Sequence, residues 1–583
     1  MSQRPKTRRP RPPEVRTLWV WWTPAWFCTS GRIEWGVRKA LLLFVAVCFT
    51  TASVAPAAVA VPVRSTAGLR AYFVITEPAK TVQAAAAITQ NGGTVYAAYD
   101  AIGVIVAHSS NVDFASKVRT TEGVQKVGAT RTGDLPADVA NPPLPPAETE
   151  TATTTPEIDR ADMTQIGADR AWTKTLGAKT VTVAVLDTGV DDQHSDLKAN
   201  FDAGKSASCA YGKADTRPGA WRPIADHGTH VAGTIAAAKN GTGMIGVAPG
   251  VKVSSIRVAE SGSDLFFPEN TVCSFMFAAD KGVSVTNNSY YVDPWMFLCP
   301  SNQDQDAISE AVKRSVAYAD SKGVVNIAAA GNETYDLASK GSDDSSPNDT
   351  TPAPRQVTND CLSLPTELPN VVVVSSVDAS SAKSRFSNFG EGKINLAAPG
   401  ENVYSTVPGG GYQAMSGTSM ASPHVAGVAA LLRSANPKLT PQQVRAKLAQ
   451  QANDIACPTG MSASCKGSAT NNSYFGEGLV DAAEAVGAAA GQPKGAISVT
   501  KPAEQLGFGG APALPLLIKG MGGSGVISYS ANGLPPGLEI DPQRGWITGV
   551  LTPGAGRYKV TVIARDGEAK TASESFFWNV WSF

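Results

Sequence analysis

The stretch Val181-Thr-Val-Ala-Val-Leu-Asp-Thr-Gly189 runs from apolar, mostly β-branched residues into a carboxylate and a turn. Runs of the same kind recur along the chain, at Val251–Ile256, Val324–Ala329 and Val371–Ser375. Near-continuous apolar strands that alternate with helical segments are typical of a parallel sheet covered by helices on both faces. We therefore predict an α/β domain over residues 159–490, in which Asp187 lies at the carboxyl end of a strand, where ligands gather.

Two histidines lie three residues apart in Asp226-His227-Gly-Thr-His230, at the start of a helix of small residues. Such a pair can bind a metal, because positions i and i+3 share a helix face. The chain has only 5 histidines, however, and contains no H-E-x-x-H sequence. We therefore favour His227 as a general base and assign His230 no catalytic role.

The most specific motif is Ser416-Gly-Thr-Ser419-Met-Ala-Ser-Pro-His-Val-Ala-Gly427. A serine that opens an Ala-rich helix can be a simple N-cap. A fourth segment, Ala328-Ala-Ala-Gly331-Asn332, carries an apolar strand into a turn that holds an amide side chain. Asn332 alone could be a turn residue that tolerates a positive φ.

The order Asp, His, Ser of these blocks resembles the subtilisin family of serine proteases. The resemblance implies a subtilisin-like fold and a catalytic triad of Asp187, His227 and Ser419, with the Asn332 amide and the Ser419 backbone N–H as the oxyanion hole. It also implies hydrolysis of peptide bonds through an acyl-enzyme intermediate, with no cofactor required for the chemistry. His227 would activate the Ser419 hydroxyl, which is a poor nucleophile without a base.

Ser289 and Tyr290, by the same resemblance, wall the first specificity pocket and contact the substrate. Tyr290 and Tyr291 stand where the family usually has smaller residues. Glu333 follows the oxyanion amide; it either favours a basic or polar substrate side chain at the pocket rim or is an ordinary solvated glutamate. Asp196 and Asn240 match positions that hold structural calcium in relatives, and oxygen ligands suit Ca²⁺; the alternative is a hydrogen-bonded loop.

The chain before this domain predicts three further segments. Residues 1–60 have a basic start, an apolar centre and the small residues Ala58-Val-Ala60, which is typical of a signal peptide with an extended N-region; translation could begin nearer Val37. Residues 61–134 read as β-α-β-β-α-β and resemble an inhibitory propeptide. Residues 135–158 are rich in Pro, Thr and Ala and predict an exposed linker suited to maturation cleavage.

The chain after the α/β domain changes character. Residues 496–583 alternate in β pattern, contain frequent Gly and Pro, and show no helical periodicity. This pattern predicts an all-β sandwich that resembles the Ig-like modules appended to secreted bacterial enzymes. Its ligand does not follow from the sequence.

The composition and the cysteine content limit which partners and which cellular compartment we expect for this chain. The formal net charge is 0 and charged residues make up 17% of the chain, so we do not expect nucleic acid as a partner. The apolar run near the amino terminus is short for a membrane anchor. The chain has 8 cysteines, of which 2 fall in the export segment; the other 6 allow 15 disulfide pairings, and Cys457–Cys465 is favoured by its short loop.

We therefore expect a secreted, monomeric endopeptidase that acts on proteins and peptides and is inhibited by its own propeptide. The N-glycosylation sequon Asn332-Glu-Thr334 lies on the predicted oxyanion residue, which fits a host that leaves such sequons bare, such as a bacterium. The competing interpretation is a secreted binding protein on an inactive protease scaffold. The intact set Asp187, His227, Ser419 and Asn332 argues against it.

Overall fold

A computed structural model describes residues 68–136, 139, 142–149, 155–458, 464–488, 497–518, 520–521, 527–543, 545–567 and 570–582. The predicted signal peptide lies outside these residues, and so does most of the junction between the α/β domain and the C-terminal module. The described chain forms an N-terminal α+β domain, a large α/β domain and a C-terminal β module.

The N-terminal domain has the predicted order β-α-β-β-α-β. Its elements are β1 (Arg70–Thr76), α1 (Thr81–Gln90), β2 (Gly93–Tyr99), β3 (Val104–Ser109), α2 (Phe114–Arg119) and β4 (Val124–Ala129). The strands form a four-stranded antiparallel sheet in the order β2-β3-β1-β4. One face packs against α1 and α2 through Val74, Ile105 and Phe114. The other face, with Phe73 and Ile75, shares a core with the α/β domain.

The α/β domain alternates strands with helices, as the apolar runs predict. Its elements are α3 (Ala161–Gln165), α4 (Ala168–Ala171), β5 (Thr182–Asp187), β6 (Ala207–Ser208), α5 (Asp226–Ala236), β7 (Lys252–Arg257), α6 (Pro268–Asp280), β8 (Val285–Asn288), α7 (Gln303–Ser321), β9 (Val325–Ala329), β10 (Ser342–Asp343), β11 (Arg355–Gln356), β12 (Val371–Val377), β13 (Leu396–Pro399), β14 (Val403–Val407), β15 (Gly411–Met415), α8 (Thr418–Ala435), α9 (Pro441–Gln450) and α10 (Ala482–Ala485). Seven strands form one sheet in the order β13-β12-β9-β8-β5-β7-β6. All its pairings are parallel.

Both faces of this sheet are buried, which explains the continuous apolar runs. Along β5, Val183 and Val185 point to the core that contains α5 and α8. Ala184 and Leu186 point to the opposite core, which contains α6 and α7. Because side chains alternate along a strand, a strand with two buried faces needs apolar residues at every position.

The C-terminal module consists of β16 (Ser498–Val499), β17 (Gln505–Phe508), β18 (Leu516–Leu517), β19 (Gly520–Met521), β20 (Ser528–Asn532), β21 (Leu538–Ile540), β22 (Trp546–Gly549), β23 (Gly556–Arg565) and β24 (Thr571–Trp581). A four-stranded sheet, β17-β24-β23-β20, and a three-stranded sheet, β18-β22-β21, enclose one core. That core joins Ile547 of the smaller sheet to Val560 and Trp578 of the larger one. The predicted β-rich, Ig-like architecture is confirmed.

Among the residues that the structure describes, three disulfides join Cys209 to Cys273, Cys299 to Cys361 and Cys457 to Cys465. The pairing predicted from the short loop is therefore confirmed. No helix in the described part of the chain combines the length and apolar character that crossing a bilayer requires.

Candidate active site

Asp187 and His227 meet at the carboxyl end of the parallel sheet. Asp187 ends β5 and is fully buried, and its Oδ1 lies 2.8 Å from Nδ1 of His227, the second residue of α5. The Gly228 N–H donates to Thr188 Oγ1 at 2.9 Å. A Cβ on Gly228 would lie 2.2 Å from the Gly189 carbonyl oxygen. Glycine at 228 therefore lets the first turn of α5 approach the loop after β5, which brings the imidazole to the carboxylate.

The environment of His227 favours its protonated form. Burial lowers the pKa of the imidazole, but the negative charge of Asp187 and the hydrogen bond to it raise the pKa more, so the net shift is upward. The Nδ1 atom is engaged by the carboxylate, so Nε2 is the nitrogen left to exchange a proton.

Ser419 is the second residue of α8 and is half-buried. Its Oγ donates to the Ser289 carbonyl oxygen at 3.3 Å, and Ser289 Oγ donates to the Ser419 carbonyl oxygen at 3.0 Å. Among the described residues no hydrogen bond joins Ser419 to His227, although both line one cavity. Catalytic hydrogen bonds are often long or poorly aligned in the absence of substrate, so the lack of this bond does not argue against proton transfer in a substrate complex.

The Asn332 amide has a defined orientation. Its Oδ1 accepts hydrogen bonds from Thr418 N at 2.8 Å and Thr418 Oγ1 at 2.9 Å. A backbone N–H can only donate, so the amide oxygen must face Thr418 and Nδ2 must face away from it. No described group accepts a hydrogen bond from Nδ2. The side chain therefore offers a free donor beside Ser419.

The loop that carries Asn332 needs glycine before it. Gly331 has φ +101°, and a Cβ there would lie 2.2 Å from Asn388 Nδ2. The Gly331 N–H donates to Thr418 Oγ1 at 3.0 Å, and Asn388 Oδ1 accepts from Glu333 N at 3.1 Å. The first bond holds the turn after β9 against the start of α8, and the second holds it against Asn388.

The cavity has a volume of about 320 Å³ and its lining includes His227, Ser419 and Asn332. Aromatic and apolar side chains form much of its wall, among them Tyr290, Tyr291, Met296 and Phe297. Its charged lining residues, apart from the histidine, are all acidic among the described residues: Asp264, Asp293 and Glu333. No described residue of the N-terminal domain lines it.

The predicted specificity residues all line this cavity, but in different ways. Tyr290 is 8% exposed and stacks on Phe266 with ring centroids 4.6 Å apart, so its ring is part of the wall. Glu333 is exposed, yet its Oε2 accepts from Asn332 N at 2.8 Å and from Asn388 Nδ2 at 3.0 Å. Ser289 uses its side chain to hold the Ser419 backbone, so only its main chain can pair with a substrate.

Two residues that the sequence interpretation did not single out shape the site. Thr418 orients the Asn332 amide, and its place directly before Ser419 in the motif was the available signal. Asp293 is buried, and Phe266 N at 2.5 Å and Asn348 Nδ2 at 2.6 Å donate to its carboxylate. Burial raises the pKa of Asp293 to about 6, although these hydrogen bonds oppose the shift. No local sequence pattern marked it.

Asp196 and Asn240 are neighbours, but as hydrogen-bond partners. Asp196 is fully buried and accepts from Asn240 Nδ2 at 3.0 Å, Met244 N at 3.0 Å and the Tyr412 hydroxyl at 2.9 Å. A calcium ion needs oxygen acceptors, and here three donors surround the carboxylate. In this arrangement the pair does not fit a calcium ion. Nor do the described residues contain any other cluster of three or more His, Cys, Asp or Glu that could hold a metal.

His230 occupies the interior of α5. It is fully buried, and its Nε2 lies 3.0 Å from the Val403 carbonyl oxygen and 3.1 Å from that of Gln413. Burial lowers its pKa to about 4, so the ring is neutral near pH 7. It ties α5 to the β14–β15 hairpin.

Comparison with known proteins places this site in a family. A sequence profile of the Subtilase family matches residues 178–479, which contain the Asp187, His227, Asn332 and Ser419 blocks. The chain belongs to the subtilase family. A second profile, which describes an Ig domain, matches residues 496–581 of this subtilase.

Individual relatives support the assignment. The subtilase is 33% identical to subtilisin DY of Bacillus licheniformis over 317 residues, which cover 54% of this chain and 94% of that protein. It is 31% identical to alkaline elastase YaB of a Bacillus strain over 350 residues, which cover 60% of this chain and 76% of that protein. A crystal structure of an epidermin leader peptide processing serine protease from Staphylococcus aureus shares the fold, with a TM-score of 0.55, 22% identity and coverage of 72% of this chain and 100% of that one.

These similarities show that the protein is a serine-type endopeptidase. Catalysis in the family requires no cofactor.

Proposed function

We propose that this subtilase is a secreted endopeptidase that hydrolyses peptide bonds through Asp187, His227 and Ser419. The observation that carries the proposal is the meeting of four chain segments at one site: the starts of α5 and α8 and the turn after β9 line one cavity, and Asp187 at the end of β5 is bonded to the His227 that lines it. Each contributes one polar side chain of a nucleophilic mechanism.

In the first half of the reaction, Ser419 Oγ attacks the carbonyl carbon of the scissile bond, and its proton passes to His227 Nε2. Asp187 holds the imidazole through Nδ1 and stabilises the imidazolium that forms. The C–N bond then breaks, and the leaving amine takes the proton from Nε2. An ester between the substrate's acyl part and Ser419 remains.

In the second half, water gives a proton to Nε2 as its oxygen attacks the ester carbonyl. The C–Oγ bond breaks, Ser419 recovers the proton, and the product carboxylic acid leaves and ionises.

Negative charge on the carbonyl oxygen is stabilised in both halves by two donors. One is the Asn332 Nδ2, which the bonds from Thr418 leave available. The other is the Ser419 backbone N–H in the first turn of α8, where N–H groups lack an intrahelical acceptor and the helix dipole favours negative charge. Both are fixed before the substrate binds, which is what makes such donors effective.

We further propose a preference for basic or polar side chains immediately before the scissile bond. Its support is the acidic character of the cavity lining, namely Glu333, Asp293 and Asp264. Ionisation of Asp293 near pH 6 would strengthen that preference at neutral and alkaline pH.

The segments around the catalytic domain complete the proposal. Residues 61–134 act as an inhibitory propeptide, supported by the extensive shared core between the N-terminal sheet and helices α6 and α7. Cleavage in the 135–158 linker separates the two. Secretion is supported by three disulfides, which persist in oxidising compartments.

The test is incubation of the purified protein with a denatured protein substrate, with and without a serine-directed covalent inhibitor, followed by mass analysis of products and enzyme. We expect internal cleavage sites and a label on Ser419. Ser419→Ala should abolish turnover and keep the fold, because the half-exposed hydroxyl contributes no core volume. Equal turnover by this variant, or no turnover by the wild type, would instead favour the binding-protein alternative or a different nucleophile.

A further inference from the structure

Arg131, just after β4, buries its guanidinium inside the catalytic domain. The residue is 3% exposed. Its Nη1 and Nη2 donate to the two carboxylate oxygens of Glu260 at 3.0 and 2.7 Å. Nε donates to Glu269 Oε1 at 3.1 Å, and Nη2 donates to the same oxygen. The guanidinium carbon lies 3.7 Å from the centre of the Phe267 ring.

The residues that contact the guanidinium, Glu260, Glu269 and Phe267, form a pocket that belongs to the catalytic domain. They would remain in the enzyme after the N-terminal domain leaves. Glu269 and Phe267 lie at the start of α6, and Tyr211 completes the lining from a separate loop. The Cys209–Cys273 disulfide joins that loop to α6, four residues after Glu269. This disulfide therefore fixes the Tyr211 loop against the helix that carries Glu269, and it does so without Arg131.

The charge balance of the pocket calls for a cation. Two buried carboxylates, Glu260 at 3% and Glu269 at 0% exposure, face one guanidinium, and Glu269 Oε2 has no hydrogen-bond partner within the described part of the chain. Removal of Arg131 would take away the guanidinium that pairs directly with both buried carboxylates, which is costly, and would leave Arg257, which interacts electrostatically with Glu260, as a cation nearby. A second guanidinium restores the lost bonds, since planar bidentate pairing with a carboxylate is specific to arginine.

The pocket lies beside the active-site cavity. Leu265 and Asn348 line both. The chain that leaves Arg131 is held by Asp349, which accepts from Thr132 N at 2.7 Å and Gly133 N at 3.0 Å. Arg131 precedes in sequence the linker in which maturation cleavage is proposed, so in the precursor it stands N-terminal to that scissile bond.

We propose that the mature enzyme uses this pocket as a substrate subsite for an arginine side chain, several residues N-terminal to the scissile bond. Arg131 fills the subsite in the precursor and substrates fill it afterwards. This inference rests on the proposed catalytic function and on loss of the N-terminal domain. The arginine subsite would be a second substrate-recognition site, in addition to the cavity that Ser419 lines.

The test uses the secreted, self-processed enzyme and internally quenched peptides that share one residue immediately before the scissile bond. Arginine is placed at each position further N-terminal in turn and compared with citrulline, which has nearly the same shape and no charge. We expect kcat/KM to be about 10- to 100-fold higher for arginine at one position, as expected for charge-assisted hydrogen bonds, with lysine well below arginine. An arginine-to-citrulline ratio near one at all these positions would overturn the proposal.

Substitutions in the pocket test whether the preference for arginine over citrulline arises there. Glu260→Gln and Glu269→Gln should each lower the arginine-to-citrulline ratio, whereas Glu391→Gln, at an exposed glutamate elsewhere in the domain, should keep it. If the pocket variants are not secreted, Phe267→Leu keeps both carboxylates, removes only the ring, and should still lower the ratio. A ratio that none of these pocket variants changes would place arginine recognition elsewhere and overturn the proposal. Loss of cleavage of every peptide would point instead to failure of the catalytic proposal.

Discussion

Replacing Thr418 with valine would remove one hydroxyl at the proposed oxyanion hole and keep the volume of the side chain. That hydroxyl donates to Asn332 Oδ1 at 2.9 Å and accepts from Gly331 N at 3.0 Å. The Thr418 backbone N–H, which also binds Oδ1 at 2.8 Å, remains. The amide therefore keeps one of its two anchors and loses part of its fixed orientation toward the substrate oxygen.

The expected magnitude follows from the bonds removed. A neutral hydrogen bond contributes about 0.5–1.5 kcal/mol net. If that energy serves to orient the Asn332 amide in the transition state, kcat should fall about 2- to 12-fold while KM changes little. The Gly331 N–H also loses its acceptor, which should cost about 1 kcal/mol of unfolding free energy, at the lower end because Gly331 is only half-buried.

A double-mutant cycle tests whether Thr418 acts through Asn332. Asn332→Ala should lower kcat by about 10²–10³, which is the effect that loss of the oxyanion-hole asparagine has in subtilisin, a member of the same family. In the Asn332→Ala background, Thr418→Val should change kcat by less than about 2-fold, because residues that act through one contact are not additive.

The assay is initial-rate kinetics on a short peptide, normalised to active enzyme titrated with a serine-directed inhibitor. Thermal unfolding is measured in the Ser419→Ala background, so that autolysis does not interfere. An equal loss of kcat in both backgrounds would refute the positioning role and assign the effect of Thr418 to the fold.

Three other predictions concern pH, metal and domain structure. Burial lowers the pKa of His227 but Asp187 raises it more, so kcat/KM should fall with decreasing pH through a midpoint above about 6.5. Asp187→Asn should move that midpoint to lower pH and lower kcat by about 10⁴. An unmoved midpoint would contradict the pairing of Asp187 with His227. Because hydrogen-bond donors surround the carboxylate of Asp196, exhaustive chelation of metal ions should leave Tm unchanged. A fall in Tm that Ca²⁺ reverses and that Asn240→Ala does not show would mean that a calcium ion displaces these donors. Removal of the residues after Gly491 should leave cleavage of short peptides nearly unchanged, because the C-terminal β module has its own core. A truncated enzyme that folds but does not cleave short peptides would show that the β module supports the active site.

Much of the fold could be predicted because its signals are local. The strand at Val181–Leu186 is apolar at every position except Thr182, which already implies two buried faces, and β5 has them. The β-α-β-β-α-β order of the N-terminal domain follows from alternating short patterns in the same way. The blocks around Asp187, His227, Asn332 and Ser419 are specific enough to assign the family. His227, Asn332 and Ser419 line one cavity and Asp187 is bonded to His227, which agrees with that assignment.

Other features depend on residues that are distant in the sequence. Tyr290 stands where the family usually has a smaller residue, and its ring is accommodated because it stacks on Phe266 and forms part of the wall. Asp196 and Asn240 have the residue types of a calcium site, but Tyr412 and Met244 supply donors where the ion would need acceptors. The sequence pattern could not reveal this, because the direction of each hydrogen bond depends on which backbone groups approach.

The sequence by itself determined the elements, the family and the residue types of the proposed catalytic side chains, because hydrophobic periodicity and short motifs are properties of neighbouring residues. Only the tertiary structure decided which way the Asn332 amide faces and that Arg131 is buried between Glu260 and Glu269, more than one hundred positions away. Such contacts arise where crossovers of a parallel sheet and a docked domain bring remote segments together. The energies of these contacts depend on burial and on hydrogen-bond direction, and neither can be predicted from the residues that are neighbours in the sequence.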